Sequence, residues 1–108
     1  MTMQGKILAE IHRILKEHNL EAVESWDYVY KGTIYVQPEG ILTTAFLIHL
    51  DFQPRYFGAR ISAPLDPHRS EEFGSMPYDD YELMDQFLTV VERCALDPDA
   101  LKKEEVAE

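Results

Sequence analysis

The segment FLIHLDFQPRYFGARIS, residues 46–62, constrains the fold more than any other part of the chain. Successive side chains of a strand point to opposite faces, so its alternation sorts the residues into two sets. With the strand extended back through ILTTA, Leu42, Thr44, Phe46, Ile48, Leu50 and Phe52 lie on one face, and Thr43, Ala45, Leu47, His49 and Asp51 on the other. The tripeptide QPR turns the chain, after which Phe57, Ala59, Ile61 and Ala63 oppose Tyr56, Gly58, Arg60 and Ser62. Matching the apolar sets across this hairpin puts His49, Asp51 and Arg60 together on the opposite face. The pattern predicts an antiparallel sheet with one buried face, which other parts of the chain must cover.

Two amphipathic helices supply the cover. Ile7, Leu8, Ile11, Ile14 and Leu15 recur at helical spacing and predict a helix over 4–18, closed by Asn19 in a left-handed conformation. Tyr81, Met84, Phe87, Leu88, Val91 and Ala95 form the stripe of a second helix over 79–97, with Asp79 as its cap and Glu82 completing a capping box.

Between the first helix and the hairpin, WDYVYKGTIYVQ at 26–37 reads as one bent strand or as two short strands joined at Lys31 and Gly32. Two strands are the expectation here. PEG at 38–40 is a turn, and 64–78, with three prolines, a glycine and no periodicity, reads as a long loop. Residues 98–108 read as a frayed acidic tail. The order defines a single α+β domain over 1–108: helix, antiparallel meander of three to four strands within 26–63, helix, with both helices on one face of the sheet.

The formal charge of −10 is unevenly distributed. Residues 1–63 hold seven acids against six bases, and residues 64–108 hold thirteen against four. Such a field opposes binding to phosphate backbones and anionic membranes, so neither direct nucleic-acid binding nor membrane association is expected. The lone cysteine, Cys94, excludes an internal disulfide and cysteine-pair zinc motifs, and its place at the edge of the second helical stripe predicts a buried structural thiol. With charges close to the start and no long apolar run, the expected location is cytoplasmic.

Several groups of residues invite chemistry. His49 and Asp51, with His68 or Asp66 of the loop as a third ligand, are a candidate divalent-metal set. His49, Asp51 and Arg60 also read as base, orienting carboxylate and anion clamp, although no nucleophile motif or phosphate-binding loop accompanies them. Asp51 and Arg60 as a cross-strand ion pair explain the same residues without function. His12 and His18 are expected to face solvent. Trp26, Tyr28, Tyr30 and Tyr35 suit a stacking platform, but core and interface packing explains them equally well. Phe73, Met76 and Tyr78, among Asp79, Asp80 and Glu82, read as apolar anchors in an acidic surface for a basic or mixed protein partner. Ala45, Leu47, His49, Tyr56 and Arg60 would form an association patch on the open sheet face.

The small size, acidity and helix-meander-helix layout are loosely similar to those of secretion chaperones and toxin immunity proteins, a likeness of layout that no motif carries. The resulting expectation is a non-enzymatic, acidic, homodimeric protein-binding domain of chaperone, inhibitor or adaptor type, with no cofactor. A small metal-dependent enzyme or ligand binder built on the His-x-Asp pair is one alternative. A nucleic-acid mimic is the other.

Overall fold

The structure is a computed structural model and describes residues 2–66 and 68–101. Helix α1 spans Met3–Glu17 and is followed by five strands: β1 (Leu20–Tyr28), β2 (Lys31–Pro38), β3 (Phe46–Phe52), β4 (Tyr56–Ser62) and β5 (Ser70–Pro77). Helix α2 (Tyr81–Leu96) and a short 3-10 turn at Pro98–Ala100 complete it. The strands lie in the order β1-β2-β3-β4-β5, each antiparallel to the next. The expected α+β architecture is present, with five strands, and the two helices contact each other and the sheet.

The alternation of the central hairpin decides which face the helices cover. Phe46, Ile48, Leu50 and Phe52 of β3 and Phe57, Ala59 and Ile61 of β4 are buried with Ile34 and Val36 of β2. Against them pack Ile7, Ile11, Ile14 and Leu15 of α1 and Met84, Phe87, Val90, Val91 and Cys94 of α2. Tyr81, expected in the α2 stripe, is exposed, while Leu88 and Ala95 pack at its margin. Cys94 is buried as expected, and burial pushes its thiol up to about 11.

Local rules set the ends of these elements. Asn19 takes the left-handed conformation after α1, with φ of 59°. Thr2 caps α1 by accepting from the Gly5 amide, satisfying one of the donors a helix start leaves open. The cap of α2 is Asp80, which accepts from the Leu83 amide at 3.1 Å, so the expectation of Asp79 as cap is off by one residue. Both are aspartates, and the spacing to Glu82 favoured the wrong one.

Other boundaries differ for reasons of packing. The first hairpin turns at Val29 and Tyr30, two residues before the expected junction at Lys31 and Gly32, and β1 begins at Leu20 rather than Trp26. Gly32 is paired opposite Trp26, and a Cβ built there would stand 2.6 Å from both the Ser25 carbonyl oxygen and the Trp26 ring. The glycine is there so that the indole can lie across the strand pair. Residues 41–45 are not strand, and Leu42, assigned to the core face, is 91% exposed.

The largest correction concerns 64–78, where β5 replaces most of the expected loop. Met76 opposes Phe57 and Phe73 opposes Ala59, so β5 carries one extra residue between them. That bulge turns both Phe73 and Met76 toward the core although they are three apart, which erases the period of two from the sequence. Part of the expected frayed tail is also ordered: Leu101 is buried in the core, and residues 102–108 lie outside the described residues.

Gly32→Ala is expected to lower stability by about 1–3 kcal/mol, the usual cost of forcing an extra methyl into a packed site. Urea unfolding measures this. Loss of an exposed tyrosine side chain by Tyr81→Ala should change stability far less.

Candidate functional site

The register of the sheet builds a continuous row of side chains across its open face. Ser25 opposes Thr33, Thr33 opposes His49, His49 opposes Arg60, and Arg60 opposes Glu72. His49 and Arg60 are thus brought together as the alternation implied. Asp51 lies one row away, between Lys31 and Gly58. Its carboxylate accepts from the Gln53 side chain at 2.6 Å, and no ion pair joins it to Arg60 among the described residues.

His49 is half-buried, with both ring nitrogens engaged. Nδ1 lies 3.2 Å from the Thr33 hydroxyl and Nε2 lies 3.1 Å from the Ser62 hydroxyl. A neutral imidazole suits this arrangement, since one nitrogen donates, the other accepts, and each hydroxyl can do either. Burial, reinforced by the nearby Arg60 charge, holds the His49 pKa below its ordinary value. Ser62 is only 2% exposed. A serine beside an imidazole has the composition of a nucleophile and base pair, but this hydroxyl is shut away from solvent. The triplet reads as a satisfied hydrogen-bonded unit within the sheet face.

The metal set does not assemble. His49 and Asp51 are on one strand, His68 is exposed in the loop before β5, and Asp66 accepts from the His68 amide at 3.1 Å. Among the described residues no group of three or more His, Cys, Asp or Glu side chains is placed to hold a metal ion. What the face does possess is a shallow groove of about 350 Å³ around the row, lined by Asp27, Lys31, Asp51, Arg60 and Glu72 over Gly58 and Gly74.

The adjacent row is more apolar. Val23 opposes Tyr35, Tyr35 opposes Leu47, and Leu47 opposes Ser62. Val23 is 46% exposed, Tyr35 is exposed and Leu47 is half-buried. Beyond Leu47 a second depression, about 530 Å³, is lined by Tyr35, Leu47, Ala63, Pro64 and Leu65, with Leu65 97% exposed. Of the expected association patch, Leu47, His49, Tyr56 and Arg60 lie on or beside this face, while Ala45 packs against the core cluster from the preceding loop.

The expected acidic binding surface divides differently. Met76 is 2% exposed, Phe73 meets Phe87 edge-on at 5.4 Å, and Tyr78 stacks on Phe57 at 5.9 Å while donating to the Gln53 carbonyl. All three are committed to the core and are not free anchors. Asp80 is used as a cap, which leaves Asp79 and Glu82 exposed.

His12 on α1, with 43% of its side chain exposed, faces solvent as expected but has a carboxylate neighbour, and His18 at the α1 C-cap is less exposed than expected. His12 Nε2 lies 2.5 Å from the Glu24 carboxylate, whose other oxygen accepts from the Trp26 indole at 2.8 Å. Burial raises the Glu24 pKa, but hydrogen bonds from His12 and Trp26 outweigh it and hold the carboxyl below its ordinary range. His18 is half-buried 3.7 Å from Glu92 of α2. Nothing in the spacing of α1 signalled these partners, because both come from other elements.

No helix among the described residues is long and apolar enough to cross a membrane. Comparison with family models, with curated proteins and with solved structures finds no match to this chain.

The His49 environment has a pH signature. Because its folded pKa lies below the unfolded value of about 6.5, the unfolded chain binds that proton more tightly, so stability is full above 6.5 and falls as pH drops through the folded value. His49→Gln is expected to flatten the stability profile between pH 7.5 and 5 relative to the parent chain in urea titrations. Parallel profiles would contradict the assignment.

Proposed function

We propose that this chain is a non-enzymatic, acidic protein-binding domain that pairs with a second copy of itself through the open face of its sheet. The observation that carries this reading is the uncovered apolar row of Val23, Tyr35 and Leu47 beside a mixed-charge row. Antiparallel sheets tolerate one wet face, but apolar side chains aligned across three strands favour cover by another surface.

Charge supports a second copy as that cover. Lys31 and Arg60 stand exposed on this face, and neither has an ion-pair partner among the described residues. Asp51 and Glu72 share the face with them. In a chain of formal charge −10, this mixture makes the open face a place where two copies can approach without facing only like charges. The engaged ring nitrogens of His49 and the buried Ser62 hydroxyl support binding over catalysis, since neither group is free to act on a ligand.

Light scattering at micromolar concentration is expected to give twice the chain mass. Leu47→Lys should give the monomer mass with an unchanged circular dichroism spectrum. A monomeric parent chain, or a dimer indifferent to Leu47→Lys, would remove the sheet face from consideration.

A further inference from the structure

An open sheet has two edges, and the two edges here are built differently. β5 carries the extra residue at Gly74 and Ser75, ends in Pro77, and has Glu71 held by Arg93 of α2 at 3.0 Å. Bulges and proline are the usual devices that stop an edge from recruiting another strand. β1 has neither over most of its length. Seven consecutive residues, Leu20 to Trp26, pair one-to-one with β2, and the only irregularity comes after Trp26.

The hydrogen-bond alternation identifies which backbone groups of β1 face outward. Asn19 accepts from the Glu39 amide across the β1-β2 pair, and Val36 accepts from Ala45 on the other side of β2. Since antiparallel partners alternate between bonded and non-bonded pairs, Glu21, Val23 and Ser25 bond to β2. Leu20, Ala22 and Glu24 then turn their N–H and C=O groups away from the sheet. These groups form a regular template for one more strand.

The side chains beside that template select its occupant. β1 contains three acids and no base. Glu24 is engaged by His12 and Trp26, but Glu21 and Asp27 are exposed and have no ion-pair partner among the described residues. Between them on the open face stands Val23. A second copy of β1 would add three more acids, whereas a strand with basic residues near Glu21 and Asp27 would pair every charge.

We infer that the β1 edge is a strand-addition site for an extended basic segment of a partner protein, about seven residues long, with Lys or Arg at both ends and an apolar residue facing Val23. Main-chain hydrogen bonds to Leu20, Ala22 and Glu24 hold such a segment, and the alternate side chains provide selectivity. This rests on the protein-binding reading above but not on dimerisation: the groups that hold the segment are the outward main-chain groups of β1, while Val23 is shared with the open-face row, which is why the Leu47→Lys chain is included in the test.

The test uses the peptide Lys-Thr-Thr-Thr-Val-Thr-Lys, added to the full chain and to its Leu47→Lys variant, with amide chemical shifts and calorimetry as readouts. Binding is expected in both, with shifts concentrated at residues 20–26. Two control peptides define the chemistry: one with glutamate at both ends, and one N-methylated at the amides that would face β1. Each should bind at least about tenfold more weakly, given the cross-strand charge and main-chain terms involved. The double variant Glu21→Lys with Asp27→Lys should reverse the preference to the glutamate-ended peptide. No binding at millimolar peptide, equal binding of the N-methylated control, or shifts confined to β5 or the open face would overturn the proposal. Failure of dimerisation alone leaves the peptide result to be read independently on the Leu47→Lys chain.

Discussion

The strict alternation of β3 is the constraint on which the rest of the structure depends. β3 is the middle of five strands, so its two edges are used by β2 and β4 and its two faces belong to different environments. Phe46, Ile48, Leu50 and Phe52 require cover, and α1 and α2 provide it. A slip of one residue would exchange them for Leu47, His49 and Asp51, placing a histidine and an aspartate under the helices. Register, helix placement and the composition of the open face are therefore consequences of one pattern.

That pattern explains how much of the molecule is legible without coordinates. Elements whose residues meet the core at regular intervals, α1, α2, β3 and β4, declare themselves by period. β5 does not, because its bulge brings Phe73 and Met76 to the same face at a spacing that fits neither strand nor simple helix. The β-branched run at 41–45 looks like strand, yet its side chains have no facing core, and Leu42 remains exposed. Gly32 carries the usual signal of a turn but is required for close approach of the Trp26 ring. In each case the deciding factor is a neighbour distant in sequence.

The candidate site shows the same division. That His49 and Arg60 share a face follows from local alternation, and the register places them directly opposite. The hydroxyls of Thr33 and Ser62 that occupy both ring nitrogens arrive from two other strands, and they change the meaning of the histidine. An imidazole that looked available as base or ligand is a neutral link across three strands. Likewise Phe73, Met76 and Tyr78 resemble anchors among acids only until Phe57 and Phe87 are seen beneath them.

The distribution of unpaired charge gives the surfaces distinct characters. Arg13 is held by Glu10 and Glu17 along α1, and Arg93 is held by Glu71, so these bases are neutralised within the chain. Lys31 and Arg60 are left on the open face, among acids of the same face, where a copy of the chain brings both signs. The β1 edge has acids alone, and a copy would bring more of the same. Like charges oppose a second copy at the edge while mixed charges admit one at the face, so on the proposed reading the two surfaces favour different neighbours. On that reading, the choice of neighbour follows from which side of one sheet each unpaired charge occupies.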